Sequence, residues 1–406
     1  MKTVSEARTT PRLRFPEFSS AGGWTIAPLV EVAAFVTDRV SVSEIAARDY
    51  VSTENLLPNF GGMADGAKLP PTSSVTRYQR GDVLVSNIRP YLRKVWLADR
   101  DGGASNDVIV FRAVDPELRT YLSLLLKSDS FIDYVMRGAR GLKMPRGDLG
   151  SIRQYPVAYP GALERRKITD CLTSLSALIA AQARKVEALK AHKWGLTQQL
   201  FPREGEMVPR LRFSEFRRAP EWKEIKAGKL FANRAERGDI ALPIYSVTMH
   251  DGMVRRSAFG RDFGDIEEPA GNRKARKGDI AYNMMRMWQG ALGIAVEDCL
   301  VSPAYVVLAP GDGVVSQFFA YLFKLPTSLR LLTSHSRGLT KDRLRLYYDD
   351  FATITLYCPT PAEQQRIADC LSSIDADIAT EFTRLDALES HRAALMQQLF
   401  PSPEVA

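Results

Sequence analysis

The feature of this sequence that most constrains its fold is an internal repeat. The segment from Pro11 to Trp24 contains Pro-Arg-Leu-Arg-Phe, then Glu-Phe, then Trp, and this pattern recurs with the same spacing from Pro209 to Trp222. Both halves also end in Gln-Gln-Leu-Phe-Pro, at Gln198–Pro202 and Gln397–Pro401. A chain that contains one unit twice presents two similar surfaces, which suits a two-fold object or two copies of one partner. We therefore expect a recognition protein rather than a catalyst.

The middle parts of the two halves stay in register as well. Residues 80–142 align without a gap with residues 277–339, at an offset of 197. The best-matching pieces are a Gly-Asp turn followed by Val or Ile, and an Arg-Gly-Leu tripeptide. Residues 31–77 and 231–274 show no such match. The sequence therefore predicts a duplicated fold in which one part of the surface differs between the halves.

Each half carries signals of both strands and helices. Gly81-Asp82 and Gly278-Asp279 precede short β-branched runs, a pattern typical of a turn that leads into a strand. The predicted strands are 83–85, 108–111, 280–282 and 305–308, and helical apolar spacing covers 118–135 and 317–332. We expect each half to contain an α+β domain with a small mixed sheet.

A heptad pattern follows each domain. Its residues step by four and three in alternation, which is the a/d spacing of a helix that packs along a seam. The first seam consists of Ile168, Leu172, Leu175, Ile179, Gln182, Val186, Leu189, Lys193, Leu196 and Leu200. The second seam, at an offset of 199, consists of Ile367, Leu371, Ile374, Ile378, Glu381, Leu385, Leu388, Arg392, Leu395 and Leu399.

One isolated leucine stripe would favour a helix packed on its own domain. Two matched seams with polar interruptions at the same places favour helices that pair with each other, and antiparallel pairing is the simpler closure within one chain. Gln182 and Glu381 would then meet near the midpoint and fix the register. The fold class that follows is α+β, with two similar domains joined by two long helices in an antiparallel coiled coil and a pseudo-two-fold internal repeat.

The second long helix has the stronger start signal. Thr360-Pro361-Ala362-Glu363 supplies an N-cap, a proline for the first helical position and the Glu of a capping box. Gly161 and Glu164 stand in the equivalent places of the first helix. Pro202 and Pro401 end the two helices.

Composition limits the class of protein. The chain has 406 residues, of which 45% are hydrophobic and 25% charged, as in a globular protein of two or three domains. Lys and Arg number 55 against 47 Asp and Glu, and the net charge of +8 suits a polyanionic partner. The apolar runs are too short to span a bilayer, so we expect a cytoplasmic protein that does not bind a membrane.

The sequence carries no recognisable catalytic or metal-binding motif. The four cysteines, Cys171, Cys299, Cys358 and Cys370, lack the spacing of a zinc site and are interpreted as buried thiols. Gly-rich phosphate loops, G-x-G-x-x-G, His-Glu-x-x-His and the Asn/Asp-Pro-Pro-Tyr/Phe motif of amino-methyltransferases are missing. We predict that the chain is not itself an enzyme and holds no metal.

Four motifs in this order resemble the specificity (S) subunit of type I restriction–modification systems. They are the Pro-Arg-Leu-Arg-Phe-x-Glu-Phe leader, the Gly-Asp-Ile/Val turn, the sequence Pro-x-Pro-x-Glu-Gln-Gln-x-Ile at Pro359–Ile367, and the Gln-Gln-Leu-Phe-Pro end. The resemblance covers the whole chain. One departure is Glu164–Ile168, which lacks the Gln-Gln of the second helix, so the two partner-docking faces need not be equivalent.

The resemblance implies a division of labour. Two target-recognition domains, 1–160 and 204–359, would each read one half of an asymmetric bipartite site in double-stranded DNA. Two helical spacers, 161–203 and 360–406, would set their separation and dock two methyltransferase (M) subunits, through which restriction (R) subunits join. This chain would bind no cofactor, because S-adenosylmethionine, ATP and Mg²⁺ are expected on the partner subunits. A seam of about 50 Å, at about 1.5 Å per residue, would hold the domains roughly one to one and a half DNA turns apart.

Positions shared by the two halves are expected to contact the DNA backbone, and positions that differ to read bases. The shared candidates are Arg89, Arg140 and Lys143 with Arg286, Arg337 and Lys341, and Arg80 and Lys277 at the Gly-Asp turns are further DNA-binding candidates. The base-reading candidates are Arg77, Asn87, Tyr91, Arg93 and Lys94 in the first half and Arg273, Lys274, Arg276, Met284 and Trp288 in the second. For any single one, a solvated surface charge is an equally good interpretation.

Two other classes of function stay open. One is a stand-alone DNA-modifying enzyme, such as a nuclease with a degenerate motif, and the other is a coiled-coil scaffold that never touches DNA. Cleavage of DNA by the purified chain with Mg²⁺ would favour the first. Absence of a steep fall of DNA affinity with salt would favour the second.

Overall fold

The computed structural model describes residues 8–65, 68–238, 241–259 and 271–401, without the side chains of Arg8, Phe259 and Lys341. Contacts divide the chain into two compact units. Unit 1 comprises Met1–Ala183 and Thr383–Ala406, and unit 2 comprises Arg184–Phe382. Each unit therefore contains one α+β domain and a part of both long helices.

The elements of unit 1 follow in chain order. The strands are β1 (Arg8–Thr9), β2 (Trp24–Pro28), β3 (Ala33–Phe35), β4 (Arg39–Ser41), β5 (Tyr50–Val51), β6 (Ser74–Tyr78), β7 (Val83–Ser86), β8 (Val95–Leu97), β9 (Gly102–Ala104), β10 (Val108–Ala113) and β11 (Pro156–Tyr159). The helices are α1 (Leu29–Val32), α2 (Arg119–Leu126), α3 (Asp129–Arg137), α4 (Leu149–Arg153) and the first long helix α5 (Ala162–Leu200), which continues into unit 2.

Unit 2 follows a similar plan. Its strands are β12 (Lys223–Lys226), β13 (Phe231–Asn233), β14 (Ile244–Val247), β15 (Met253–Arg255), β16 (Arg273–Ala275), β17 (Ile280–Asn283), β18 (Leu292–Ile294), β19 (Cys299–Val301), β20 (Tyr305–Pro310) and β21 (Thr355–Cys358). Its helices are α6 (Ala227–Leu230), α7 (Ser316–Phe323), α8 (Pro326–Ser334), α9 (Tyr348–Ala352) and the second long helix α10 (Pro361–Leu399), which continues into unit 1.

One antiparallel sheet has the same strand order in both units. It reads β3-β10-β7-β8 in unit 1 and β13-β20-β17-β18 in unit 2. The four strands predicted from the sequence lie in these two sheets, each one or two residues longer than predicted. Val83 and Ile280, which follow the Gly-Asp turns, are fully buried. The β-branched runs form strands here because both faces of each strand are covered by apolar neighbours.

A second, mixed sheet differs between the units. Its order is β4-β6-β9-β5 in unit 1 and β15-β14-β19-β16 in unit 2. The pairs β5–β9 and β14–β19 are parallel, whereas β6–β9 and β16–β19 are antiparallel. Three strands are thus shared, and the fourth is added at opposite edges, as β4 next to β6 and as β15 next to β14. The expectation of a single small sheet was incomplete, because strands of two to five residues are too short to show a clear alternation.

The helical stretches predicted at 118–135 and 317–332 are each broken into two helices. In unit 1, α2 ends at Leu126, and Ser128 caps α3, since its hydroxyl accepts a hydrogen bond from the backbone N–H of Phe131 at 3.3 Å. In unit 2, α8 begins at Pro326, which has no N–H to continue α7. Apolar residues continue across both breaks because the paired helices pack on one core.

The two long helices contain 39 residues each and are therefore longer than the predicted seams. All seam positions predicted from the sequence are buried or half-buried. Within unit 2 the two helices run antiparallel, because Lys185 Nζ lies 2.7 Å from Glu381 and Lys193 Nζ lies 2.5 Å from Asp375. Gln182 belongs to unit 1 and Glu381 to unit 2. Their meeting stays a prediction.

The repeated Leu-Phe at the end of each long helix closes a hydrophobic core. Leu200 and Phe201 lie in the core of unit 2, where the Phe201 ring stands 6.3 Å from that of Trp222. Leu399 and Phe400 lie in the core of unit 1, which also contains Trp24. Each long helix thus begins against one core and ends in the other, which explains why the leader and the helix end are both repeated.

The leader arginine is bound to the first turn of a long helix in each unit. Arg14 Nε and Nη2 donate to the two carboxylate oxygens of Glu164, both at 2.7 Å, and its Nη1 and Nη2 donate to the carbonyls of Ala21 and Gly22 at 2.8 and 3.0 Å. A guanidinium that makes four hydrogen bonds fixes the leader segment against the helix. We call this arrangement the Arg–Glu clamp.

The clamp of unit 2 repeats these contacts. Arg212 donates twice to Glu363, both at 2.7 Å, and to the carbonyls of Ala219 and Pro220, both at 2.9 Å. The predicted capping box is therefore only half formed. The hydroxyl of Thr360 accepts from the N–H of Glu363 at 3.4 Å, but the Glu363 carboxylate binds Arg212 and does not reach back to the cap. The hydrogen bond to Glu363 raises the pKa of Arg212, so this arginine stays charged.

Replacement of the clamp arginine should destabilise unit 2 strongly. Arg212→Ala leaves the carboxylate of Glu363, whose side chain is 1% exposed, without its counter-ion. Removal of one partner of such a pair costs about 3–5 kcal/mol. Urea denaturation measures the loss in the free energy of unfolding.

Arg210→Ala is the matched control, two residues away in the same motif. Arg210 is 53% exposed and pairs with Glu206, so its loss should cost about 1 kcal/mol or less. Equal losses in the free energy of unfolding for the two variants would show that the clamp stabilises the unit no more than an exposed ion pair does.

Candidate nucleic-acid interface

A buried aspartate organises the turn that leads into the central antiparallel sheet. Asp82 is 2% exposed and accepts hydrogen bonds from the N–H of Gln79 at 2.8 Å and from Arg112 Nε and Nη2 at 2.9 and 2.7 Å. The glycine before it, Gly81, has φ +92°, which L side chains rarely adopt. The Arg-Gly-Asp turn is therefore a structural feature that sets where β7 begins.

Unit 2 builds the same turn with an arginine from another strand. Asp279 is 1% exposed and accepts from the N–H of Arg276 at 2.8 Å and from Arg234 Nε and Nη2 at 2.5 and 3.1 Å. Arg112 belongs to β10 of unit 1. Arg234 follows β13, which in unit 2 is the strand next to β20, the counterpart of β10. The aspartate is aligned between the halves, but its partner is not, and sequence alignment alone does not show the match.

The segment after β7 carries exposed candidates on a strained turn. Arg89 and Arg93 flank the 3₁₀ turn Pro90–Leu92 and have φ +50° and +56°. Non-glycine residues in this region are uncommon and cost of order 1–2 kcal/mol each. Arg89 and Tyr91 are exposed. Strained, exposed residues of this kind often belong to binding sites.

A second loop joins this segment in unit 1. The N–H of Arg89 donates to the carbonyl of Pro145 at 2.8 Å, and Arg140 and Arg146 form a β-bridge that closes the loop between them. Lys143 is exposed within that loop. The structure therefore brings Asn87 and Arg89 next to the loop between Arg140 and Arg146, about 50 residues later in the chain. Lys143 lies in that loop, and Tyr91 and Arg93 follow Arg89 on the first segment.

Unit 2 brings the corresponding segments together. The N–H of Leu346 donates to the carbonyl of Met284 at 3.0 Å, and Arg337 and Arg345 form the bridge that closes the second loop. A depression of about 760 Å³ between the two segments is lined by Met285, Arg337, Gly338, Asp342, Arg343, Arg345, Tyr347 and Asp349. Arg286 is exposed, and the indole N–H of Trp288 donates to the carbonyl of Met285 at 3.1 Å. We call the paired segments of each unit the loop face.

Other candidates lie away from the loop faces. Arg80 precedes β7 and Asn87 follows it, so the four-residue strand separates them by about 13 Å at about 3.3 Å per residue. Arg77 lies on β6 of the mixed sheet. In unit 2, Arg276 and Lys277 precede β17 and Met284 follows it, and Arg273 and Lys274 lie on β16. The N–H groups of Arg80 and Lys277 bind Asp101 and Asp298 at 2.7 and 3.0 Å, so both residues help to hold the turn.

Several candidates already bind groups inside the protein. Lys94 Nζ donates to the carbonyl of Thr53 at 2.5 Å. The ion pairs are Arg77–Glu44 at 3.7 Å, Arg93–Asp129 at 2.8 Å, Arg140–Asp148 at 4.0 Å, Lys274–Asp298 at 3.5 Å, Arg276–Glu236 at 3.0 Å and Arg337–Asp350 at 2.7 Å. The side chain of Lys341 lies outside the described part of the structure. At the loop faces, Arg89 and Arg286 are exposed, and Arg140 and Arg337 keep 87% and 69% of their side chains exposed despite their ion pairs, so these four arginines are the candidates best placed to meet a ligand.

Sequence reasoning missed three cations of the loop faces. Arg146 in unit 1 and Arg343 and Arg345 in unit 2 are exposed on the closing sides of the loops. Arg146 is 3.1 Å from Asp107 and keeps 55% of its side chain exposed. The repeated Arg-Gly-Leu marks the first side of each loop in the sequence. The loops differ in length by two residues, so the residues of their second sides do not align between the two halves.

Possible metal ligands and the four cysteines are the remaining side chains of chemical interest. No group of three His, Cys, Asp or Glu side chains that could hold a metal occurs among residues 8–65, 68–238, 241–259 and 271–401. Cys299 and Cys358 are buried, and burial raises their thiol pKa to about 12 and about 11. Cys171 and Cys370 are only half-buried, so the expectation of four buried thiols was wrong for these two. No described helix combines the length and apolar character that a bilayer crossing needs.

Comparison with known proteins shows similarity to one family over part of the chain. Residues 221–390 match the family model described as type I restriction modification DNA specificity domain. The chain is 24% identical to the type I restriction enzyme HindI specificity subunit of Haemophilus influenzae over 44% of this chain and 41% of that protein. It is 26% identical to the type I restriction enzyme EcoDI specificity subunit of Escherichia coli over 42% of this chain and 41% of that protein. The matches thus span about two fifths of the length of these curated relatives.

Solved structures share the fold over most of the chain. A crystal structure of a type I restriction–modification system S subunit from M. genitalium has a TM-score of 0.59 at 14% identity, covering 97% of this chain and 99% of that chain. A chain from a structure on complex assembly and conformational transition of the type I R-M system has a TM-score of 0.58 at 20% identity, covering 93% and 97%. At these identities the likeness concerns the fold.

Replacement of Arg89 by glycine should relieve the strain in the turn after β7. The positive φ costs arginine about 1–2 kcal/mol, and glycine loses about 0.5–1 kcal/mol through the entropy of the unfolded chain. We expect Arg89→Gly to be neutral or up to about 1.5 kcal/mol more stable in urea denaturation.

Arg286→Gly is the matched control at the aligned position of unit 2. Arg286 has φ −128°, so glycine relieves no strain there and should cost about 0.5–1 kcal/mol. A stability loss at position 89 equal to that at position 286 would contradict the role of strain.

Proposed function

We propose that this chain, which is similar to type I restriction–modification specificity subunits, recognises a bipartite DNA site, and that each of its two units reads one half of that site. The observation that carries this proposal is the pair of loop faces, where cations from two distant segments meet on an exposed surface in both units. Phosphate contacts from such cations position a protein on DNA, and neighbouring side chains that differ supply the sequence reading.

We assign the phosphate contacts to the exposed arginines that recur on both loop faces, Arg89 with Arg286 and Arg140 with Arg337. Base reading falls to residues that differ between the faces, Asn87, Tyr91 and Arg93 in unit 1 and Met284 and Trp288 in unit 2. Arg77, Arg80, Arg273, Lys274, Arg276, Lys277 and Lys94 are proposed to act indirectly or at the margin, since they lie beyond the loop faces or bind groups inside the protein. The two half-sites should therefore differ in sequence.

The long helices are proposed to act as a spacer. The antiparallel ion pairs within unit 2 and the burial of both seams support an antiparallel coiled coil that relates two similar halves by a pseudo-two-fold axis. Such a packed pair of helices would hold the recognition domains at a fixed distance. The length of the gap between the half-sites then becomes part of the specificity.

The exposed sides of the same helices are proposed to dock two methyltransferase subunits, through which restriction subunits join. The candidate docking residues are Leu178, Ala181, Ala188, Ala379, Ala387 and Ala394, all of them exposed. Catalysis and its cofactors, S-adenosylmethionine, ATP and Mg²⁺, belong in this proposal to the partner subunits, so the chain alone should neither cut nor methylate DNA.

A salt series on DNA binding tests the recognition role. With log affinity falling by about 0.9 per neutralised phosphate for each unit of log salt, Arg89→Ala with Arg286→Ala should reduce the slope by about 2. Fluorescence anisotropy of labelled duplex DNA, with and without the host's methyltransferase protein, measures the slope.

Arg166→Ala serves as the control in this series. Arg166 is 83% exposed but lies on α5 outside the loop faces, so its slope should equal that of the unchanged protein. Affinity that does not depend on salt in any of the three proteins would favour the scaffold interpretation instead.

Light scattering tests the docking proposal. The purified chain, titrated with the methyltransferase protein of its host, should reach two methyltransferase subunits per chain because each half offers one helical surface. A plateau at one subunit, with no further increase at higher concentration, would contradict the proposal.

A further inference from the structure

Two leucines stand out on the surface of the protein. Leu142 is 105% exposed and Leu339 is 100% exposed, whereas the next most exposed large hydrophobic residue of the described chain, Leu163, is 78% exposed. Single exposed leucines are common and need no explanation. These two are different because they occupy aligned positions, at an offset of 197, in the loops of the two loop faces.

Both leucines are held out by the same backbone construction. The preceding residues, Gly141 and Gly338, have φ +101° and +150°, values that only glycine adopts readily. A Cβ at Gly338 would also stand 2.5 Å from the carbonyl oxygen of Arg343. With the bridges Arg140–Arg146 and Arg337–Arg345 closing the loops, the leucines project from a braced turn. The repeated Arg-Gly-Leu sequence therefore gives both loops the same turn with an exposed leucine.

The surroundings of the leucines favour a polyanion over a protein as the partner. Arg140 and Arg146 keep 87% and 55% of their side chains exposed, and Arg337 keeps 69%. A protein-docking patch needs a contiguous apolar area of several hundred Å². One leucine between exposed arginines is far smaller, but it matches the apolar wedges that DNA-bending proteins insert between base pairs while cations bind the phosphates.

We propose that Leu142 and Leu339 are wedges that enter the base stack, one in each half-site, and unstack a base step there. The proposal rests on the proposed function, since it gives a role to residues of the same loop faces. Unstacking costs free energy, which is repaid by additional contacts on the bent duplex. Because easily unstacked steps bend at the lowest cost, each wedge adds specificity for the step that it enters.

Fluorescence of 2-aminopurine tests the wedges directly. The target motif is first obtained by methylation-aware sequencing of the host genome with and without this gene. Duplexes of that motif then carry 2-aminopurine at successive positions, and the full-length chain is added with its methyltransferase partner. We expect the fluorescence to rise at one step in each half-site. Leu142→Ala should abolish the rise in one half-site only, and Leu339→Ala should abolish it in the other.

Val114→Ala and Val296→Ala are the matched controls, since these valines are 64% and 65% exposed in units 1 and 2 but lie outside the loop faces. Thermal melting should show no change for any of the four variants, because none removes a buried side chain. A rise that persists in both leucine variants would overturn the proposal. The proposal would also be overturned if the leucine variants no longer bound the methyltransferase partner but still gave the same 2-aminopurine fluorescence as the unchanged protein. That result would show that the leucines contact a protein. Failure of the proposed function looks different, since the unchanged protein would then not bind the duplex at all.

Discussion

The Arg–Glu clamp is the interaction on which the layout of each unit depends. It joins two parts of the chain that are far apart in sequence, because one guanidinium holds the carbonyls of its own leader and the first turn of a long helix together. Arg14 and Arg212 are largely shielded from water, and so are their glutamates. In such surroundings an unpaired charge is far more costly than a pair, so the direction in which each helix leaves its domain is fixed by electrostatics as well as by packing.

Duplication is strict where the scaffold needs it and relaxed elsewhere. The antiparallel sheet keeps one strand order, whereas the mixed sheet gains its fourth strand at opposite edges, within the residues that do not align. Even the buried aspartate that both units share has a different counter-ion in each. Asp82 binds Arg112 of β10, whereas Asp279 binds Arg234, which follows β13. A buried aspartate requires a counter-ion but not a particular strand to supply it. A recognition domain can therefore change its surface while it keeps its core.

What could be predicted from the sequence depended on how local the signal was. The seams were visible because a heptad pattern over 30 residues needs no knowledge of the fold. The clamp was not, since Glu363 carries the signature of a capping box and only the position of Arg212, 151 residues away, redirects its carboxylate. The same holds for the loop faces. Arg89 and Pro145 are joined by a backbone hydrogen bond, and neither segment contains a local sequence signal that predicts its contact with the other. The mixed sheet was underestimated because β5 has two residues and pairs with β9 across half of the domain.

Alignment between the halves also overstates how alike the two loop faces are. Arg89 and Arg286 share a position in the repeat, yet one has φ +50° and the other φ −128°, so their side chains leave the backbone in different directions. Around them the closing loops differ by two residues. What the two faces do share is a positive-φ glycine followed by a fully exposed leucine, next to an exposed arginine. Under the proposed function, a shared wedge among cations of differing geometry would give the two half-sites one mode of DNA deformation and separate base preferences. This combination is what a duplicated protein needs in order to recognise an asymmetric sequence.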